Sequence, residues 1–522
     1  MQHRRELAPE LLFRLTEEEA LFQQELRDRF SEDPVFQDII ERAREATAFN
    51  RDLYHEAFQY FRRCGLTAYG IPEAYDGWPG TSRGAIIAAE ETCRHDPSIG
   101  LSQGATTSLV ATPILLFGTE EQKRTWLPKI AAGEVIGCYC QTEPDAGSDV
   151  ASLKAEAIFR DGRWRINGEK IFITNGSEAH LGLVVARIGP DRYRGLAVFI
   201  VDLEHAKLAG ELTILRNEKK PGLHLSPTTA MRFDDCGTDG PLGAIRELPD
   251  GTRTGEGWKV LNATLVGSRA TVIAAQGRAV ALGAFDVARS YADMRTQFSL
   301  RITEMPQQRA RILRVEAALE MGRLLSWQAA LLRDTLGRED SRPWQLEASL
   351  AKLWNGELAE WGPSEMLQLC GGVGYTDAKI FKFWQDGRIV KIYEGTSDVQ
   401  CLIIAREMLL SVLSRDPATV SEELLIEAAH TFPPDPARAT LPSVYFPIAH
   451  ALAVEEGNRL VREEHMFRKR CGETLTERDD AIVAMTSLLA RERILAARET
   501  LRHTRRTPAL RTVVEGADDI VP

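Results

Sequence analysis

Lys154-Ala155-Glu156-Ala157-Ile158-Phe159-Arg160-Asp161-Gly162-Arg163-Trp164-Arg165-Ile166-Asn167-Gly168 is the stretch from which the fold can be read. Two strand-like runs flank Asp-Gly, a pair that turns tightly because both central residues tolerate positive φ. Asn167-Gly168 adds a second turn. Short strand patterns follow at 170–174, 181–188, 195–203, 212–215 and 230–235 with no helical period between them. That crowding predicts a small antiparallel β-barrel or sandwich rather than βαβ units.

On both sides of this region the period is helical. Upstream, Thr16-Glu17-Glu18-Glu19 and Thr119-Glu120-Glu121-Gln122 are capping-box patterns, the second just after Gly118, which closes the apolar run 109–117. Between them the Gly/Pro loop 74–80 breaks any helix. Downstream of Gly255-Glu256-Gly257, apolar residues recur at three- and four-residue spacing around 258–290, 305–337 and 344–370, and another helix begins near Ser397. Two of these helices are long, so a bundle is their natural home. The proline cluster 432–436 predicts a linker before a last helical region ending near 507. The expected class is therefore α+β, mainly α. It comprises an N-terminal helical domain (1–134), a middle β domain (135–255), a C-terminal four-helix bundle (256–415) and a helical C-terminal extension (416–522).

Composition narrows the function. The 522 residues are 44% hydrophobic and 27% charged, ordinary for a soluble globular chain. With 64 Lys+Arg against 75 Asp+Glu, a net charge of −11 argues against nucleic acid as the general partner. No apolar run approaches the roughly 18 residues of a membrane span, and the N-terminus has neither an apolar core nor a cleavage site of a secretion signal. Eight scattered cysteines without a CxxC pair predict neither disulfides nor zinc, and fit a reducing cytoplasmic location. Cys138 and Cys140 read as small residues on one face of a strand. No histidine spacing suits a metal, no GxGxxG follows a strand, and there is no P-loop. Gly80-Thr81-Ser82-Arg83-Gly84 matches GxSxG, but a loop precedes it where a nucleophile elbow needs a strand.

Three segments carry chemistry. Residues 138–149 run from a strand into a turn rich in Pro, Gly, Ser and Thr, either an ordinary loop exit or a wall of amides and hydroxyls for a flat heterocycle. Gln368-Leu369-Cys370-Gly371-Gly372-Val373-Gly374-Tyr375 is either a helix C-cap or a place where a large ligand approaches the main chain. Tyr393-Glu394-Gly395-Thr396-Ser397-Asp398 puts a carboxylate just before a helix, either as a helix-end acid or as a shielded general base.

Together these segments resemble the acyl-CoA dehydrogenases: 139–149 like the flavin-side signature, 368–375 with 394–400 like the C-terminal one. Residues 291–298 resemble the helix end that reaches FAD across a subunit interface. The resemblance spans about 20–410. It implies an FAD flavoprotein oxidoreductase of fatty acid and lipid metabolism that dehydrogenates an acyl-CoA to the trans-2-enoyl-CoA. Glu394 would be the α-proton base, with hydride passing to flavin N5; the alternative base position on an earlier helix is Ser268. By the same resemblance, Tyr139, Gln141, Thr142, Gly147, Ser148, Phe172 and Thr174 line the flavin. Arg295, Gln297 and Phe298 meet a neighbouring subunit's FAD, with Gln368 and Gly372 nearby, and Thr396 and Asp398 touch the cofactor. Ser148, Arg269, Tyr393 and Gly395 are substrate contacts. Implied partners are the acyl-CoA, a second copy of the chain (a homodimer) and an electron-transferring flavoprotein.

The chain also departs from the family. Phe172 stands for the commoner tryptophan, Ser299 for a glycine, Pro306 for a glutamine and Gln385 for an arginine, and residues 222–228 are unusual. By the same resemblance the small residues of 101–108 would line the acyl end and leave the tunnel unplugged, or else they serve close helix packing. For the extension, a membrane surface or a subunit interface is implied, while its arginines read first as a solvated helix face with i,i+4 pairs. The rival readings are an alkylation-response-type FAD protein that binds DNA through Arg491, Arg493, Arg498, Arg502, Arg505, Arg506 and Arg511, and a flavin-dependent thioester oxidase or oxygenase.

Overall fold

The computed structural model describes residues 7–413 and 442–505. The linker expected at 432–436, and Arg506 and Arg511, lie outside them.

Both capping boxes form. Thr16 Oγ1 accepts from Glu19 N–H at 3.2 Å while Glu19 Oε2 accepts from Thr16 N–H at 3.0 Å, and Thr119 and Gln122 repeat the exchange at the start of Glu120–Ala131. Ser82, the serine of the GxSxG match, begins the helix Ser82–Cys93, and its hydroxyl is tied to Asp334 and Arg333, as befits a buried structural group. The helical stretch Pro97–Phe117 is long and apolar enough to cross a membrane, which the run of residues did not suggest. Sixty-seven per cent of its most apolar 18-residue window is buried inside the protein, the signature of a core helix.

The β domain has eight strands in one sheet: β1 Gly137–Cys140, β2 Glu156–Arg160, β3 Arg163–Thr174, β4 Leu181–Arg187, β5 Leu196–Asp202, β6 Leu212–Asn217, β7 Thr228–Gly237 and β8 Pro241–Leu242. The β2–β3 hairpin turns at Asp161 (φ 51°) and Gly162 (φ 75°), with Phe159 opposite Trp164. The order is β6-β7-β3-β2-β4-β5-β8, an open path and not a closed barrel. The sheet is also not purely antiparallel. β1 lies parallel to β4 from Gly137↔Leu181 to Cys140↔Val184, and β2 takes over the same edge at Glu156↔Arg187. Alternation along a strand reports its faces but not its partner's direction, and β1, entering from a helix instead of a hairpin, is free to align either way. Cys138 and Cys140 share its buried face, their Sγ atoms 3.5 Å apart.

Beneath the loop after β1 sits a buried ion pair. Lys170 Nζ donates to Glu143 Oε1 at 2.7 Å and to the carbonyls of Gln141 (3.1 Å) and Val185 (2.7 Å). Glu143 also accepts from the N–H groups of Lys154 and Ala155. All three donors of Lys170 and both oxygens of Glu143 are thereby satisfied, so the loop's backbone is fixed against the sheet.

Helices Gly257–Ser268, Ala274–Met294, Pro306–Leu336, Gln345–Cys370 and Ser397–Leu413 form the bundle. Its members approach closely: a Cβ at Gly277 would lie 2.6 Å from the Asn355 carbonyl oxygen, and Asn355 Nδ2 bonds the carbonyl of Gly322. The extension contributes Pro442–Arg470 and Glu477–Arg505, which pack on each other and on Pro306–Leu336. Arg323–Glu464 and Arg314–Glu492, each 2.8 Å, pin them there. Arg491 and Arg493 are exposed; the side chains of Arg498, Arg502 and Arg505 lie outside the description.

Replacing Lys170 by Met leaves the Glu143 carboxylate buried without its cation. We expect Lys170→Met to cost about 3 kcal/mol, read as a lower denaturation midpoint, and to loosen residues 141–155 in hydrogen exchange. Unchanged stability would mean the pair is dispensable.

Candidate active site

The site is built around a strained turn. A short helix, Arg388–Lys391, ends before the turn and Ser397 starts the next, and between them Glu394 (φ 51°) and Gly395 (φ 89°) are consecutive left-handed residues. For Glu394 that conformation costs on the order of 1–3 kcal/mol and persists only where the surroundings impose it. They do. Arg269 Nε donates to the Glu394 carbonyl at 2.6 Å, and Lys352 Nζ and Gln400 Nε2 donate to the Gly395 carbonyl at 2.7 and 3.0 Å. The Tyr393 hydroxyl bonds Gln276.

The turn holds the carboxylate against the wall of a cavity. Ser268 Oγ donates to Glu394 Oε1 at 3.1 Å, whereas Oε2 is buried with no hydrogen-bond partner. Burial pushes the carboxyl up to about 7, against the pull of the Ser268 hydrogen bond and of the Arg269 and Lys352 charges. Lys352 is driven the other way, down to about 7, by burial and the neighbouring Arg269. A carboxylate half-ionised near neutrality, with one free oxygen, is a group poised to take up a proton.

The cavity measures about 1480 Å³. Tyr139, Gln141, Thr142, Gly147, Ser148, Phe172 and Thr174 form one wall, and Arg269, Tyr393, Glu394, Gly395 and Thr396 the opposing one. The expected residues from the middle domain and the turn thus meet across one space. Tyr139 Oη and Gln141 Oε1 are buried here without partners, as is Glu394 Oε2. Orphaned polar atoms around a large, mostly apolar space fit a flat heterocycle with hydrogen-bonding edges. Leu101, Ala105 and Leu109, one face of a helix, continue the wall, as do Leu223 and Thr228 of the unusual loop.

Arg295, Gln297, Phe298, Gln368, Gly372 and Asp398 do not line this cavity; all are exposed. Phe298 is 93% exposed. Ser299 sits at φ 63°, in the left-handed region that favours glycine. Sequence reasoning missed Lys352 and Gln400, and treated Ser268 only as a disqualified base. Lys352, the one lysine in the helix Gln345–Cys370, was the available signal.

Family models for the N-terminal, middle and C-terminal domains of acyl-CoA dehydrogenase match residues 16–134, 138–236 and 255–409. The chain belongs to the acyl-CoA dehydrogenase family. The short-chain specific acyl-CoA dehydrogenase of Homo sapiens mitochondria is 34% identical over 354 residues, 67% of this chain and 81% of that protein. The butyryl-CoA dehydrogenase structure from Megasphaera elsdenii aligns with a TM-score of 0.66 at 28% identity, covering 77% of this chain and 100% of that one. An acyl-CoA dehydrogenase from Bacillus anthracis, complexed with FAD, shares the fold over 99% of this chain and 94% of its own (TM-score 0.78, 20% identity). The acyl-CoA dehydrogenases are flavin-dependent oxidoreductases acting on CH–CH bonds of acyl thioesters.

Because Ser268 donates to the ionised carboxylate, Ser268→Ala should raise the Glu394 pKa above about 7. Infrared titration of the carboxyl band measures this directly. An unchanged or lowered midpoint would contradict the assigned hydrogen bond.

Proposed function

We propose that the chain is an FAD-dependent acyl-CoA dehydrogenase in which Glu394 removes the α-proton of the thioester to give the trans-2-enoyl-CoA. The observation that carries this is the partnerless, buried Oε2 of Glu394, a residue that lines the cavity, on a carboxyl whose pKa lies near neutrality. Ser268 occupies Oε1, so the incoming proton goes to Oε2. Arg269, Lys352 and Gln400 fix the backbone, so the base need not reorganise as charge develops. On this reading Tyr139, Gln141, Thr142, Gly147, Ser148, Phe172, Thr174 and Thr396 hold the flavin. Bound FAD supplies the acceptor for the β-hydride. Arg269, Ser148, Tyr393 and Gly395 face the thioester, whose acyl end points toward Leu101, Ala105 and Leu109.

The exposed Arg295, Gln297 and Phe298 support a homodimer in which they complete the neighbour's FAD site. An apolar ring so fully in water calls for cover. An electron-transferring flavoprotein is the proposed re-oxidant, and the eight free cysteines suit a cytoplasmic location.

Glu394→Gln should stay yellow yet lose at least roughly 10²–10⁴-fold in anaerobic flavin bleaching by acyl-CoA. In the wild type only the ionised base works, so bleaching should rise with pH through about 7 and then level off. Near-normal bleaching by the variant would refute the assignment, and rapid peroxide formation in air would point to an oxidase. Phe298→Asp should yield monomers by light scattering and release FAD on dilution; a dimer with tightly held FAD would remove Phe298 from the interface.

A further inference from the structure

The extension reaches the base-bearing turn from behind. Glu357, on Gln345–Cys370, holds both ends of that turn: its Oε1 accepts from Ser397 Oγ at 3.1 Å and its Oε2 lies 2.9 Å from Lys391 Nζ. Residues 391 and 397 stand three places before and three after Glu394, so one carboxylate brackets the strained segment. The third group on Glu357 comes from beyond the matched family domains. His450 of Pro442–Arg470 is 6% exposed, and its Nε2 lies 3.5 Å from Glu357 Oε1. The same helix packs against both Gln345–Cys370 and Ser397–Leu413, the two elements that Glu357 joins. Burial pulls the Glu357 carboxyl up, but the hydrogen bond from His450 together with Lys391 holds it down at about 2. An ionised Glu357 is what Ser397 and Lys391 need as acceptor.

We propose that His450 is a positioning residue for Glu394: the C-terminal extension completes, through Glu357, the clamp on Lys391 and Ser397 that holds the base-bearing turn in its left-handed conformation. The proposal rests on the reading of Glu394 as the base, and it gives the extension a part in the reaction beyond covering the bundle.

The test uses the full-length FAD holoenzyme with the acyl-CoA of a butyryl-to-palmitoyl series that bleaches the wild type fastest. In His450→Ala, the bleaching rate at saturating thioester should fall roughly 10- to 100-fold with less than about a two-fold change in half-saturation. Amide exchange in the peptide 391–400 should quicken. His450→Gln, which keeps a donor in place, should recover most of both. Arg314→Ala, which cuts the separate ion pair with Glu492, should change neither. Wild-type rate and exchange in a folded His450→Ala overturn the proposal. If that variant fails to fold, Ser397→Ala, which cuts the same clamp from the turn side, must quicken exchange at 391–400, and its failure to do so is equally decisive. Should Glu394→Gln still bleach, the base assignment falls, while the exchange result still decides whether His450 holds the turn.

Discussion

A left-handed glutamate is the constraint around which this protein is arranged. An L-residue at φ 51° sits there against its own sterics, so the backbone at Glu394 must be held from outside the turn, for the most part by groups far along the chain. Arg269 comes 125 residues earlier, Lys352 43 residues before Gly395, and Gln400 only five after it. The donors reach carbonyl oxygens, leaving the side chain free to project into the cavity. Strain at the backbone and freedom at the carboxylate are two results of one arrangement.

Placing cations next to a base has a cost that the structure offsets by distance and burial. Were Arg269 and Lys352 to pair with the Glu394 carboxylate directly, its pKa would fall and the base would weaken. Instead, their closest hydrogen bonds go to backbone carbonyls, and desolvation outweighs their Coulombic pull, leaving the carboxyl near 7. The single direct bond comes from a neutral hydroxyl, that of Ser268. A neutral donor orients the carboxylate at a smaller loss of basicity than a second arginine would impose.

What the sequence disclosed is what depends on near neighbours. The capping boxes at Thr16 and Thr119, the Asp161-Gly162 hairpin and the helical periods of the bundle are local signals, and each appears in the fold. So is the tract 392–398, where a carboxylate before a helix start drew attention to Glu394. Hidden were the matters of pairing: β1 running parallel to β4, Ser268 meeting a carboxylate 126 positions away, Glu357 gripping Lys391 and Ser397 together. None leaves a periodic trace, because a buried lysine or glutamate in a helix looks the same whether it pairs with a neighbour or a distant turn. The stretch 97–117 also escaped the reading: no run there approached a membrane span in sequence, yet the folded helix is long and apolar enough for one, and its burial marks it as core.

The cavity walls come from different domains, so their separation must be set by something other than the turn. A buried cluster does this. Asp96 caps the helix Pro97–Gly104, its Oδ1 accepting from the N–H groups of Ser98 and Ile99, while its Oδ2 lies 3.0 Å from Lys382 Nζ. Lys382 also pairs with Asp386, whose Oδ1 accepts from Leu223 N–H at 2.6 Å. One cation thus ties the helix leading to Leu101 and Ala105, the helix Ala378–Gly387 that carries Lys382 and Asp386, and the β-domain loop that presents Leu223. Such buried pairs add little net stability but strongly disfavour arrangements that leave one charge alone. The relative placement of the three walls is therefore specified electrostatically, while the apolar cores on either side supply the free energy of folding.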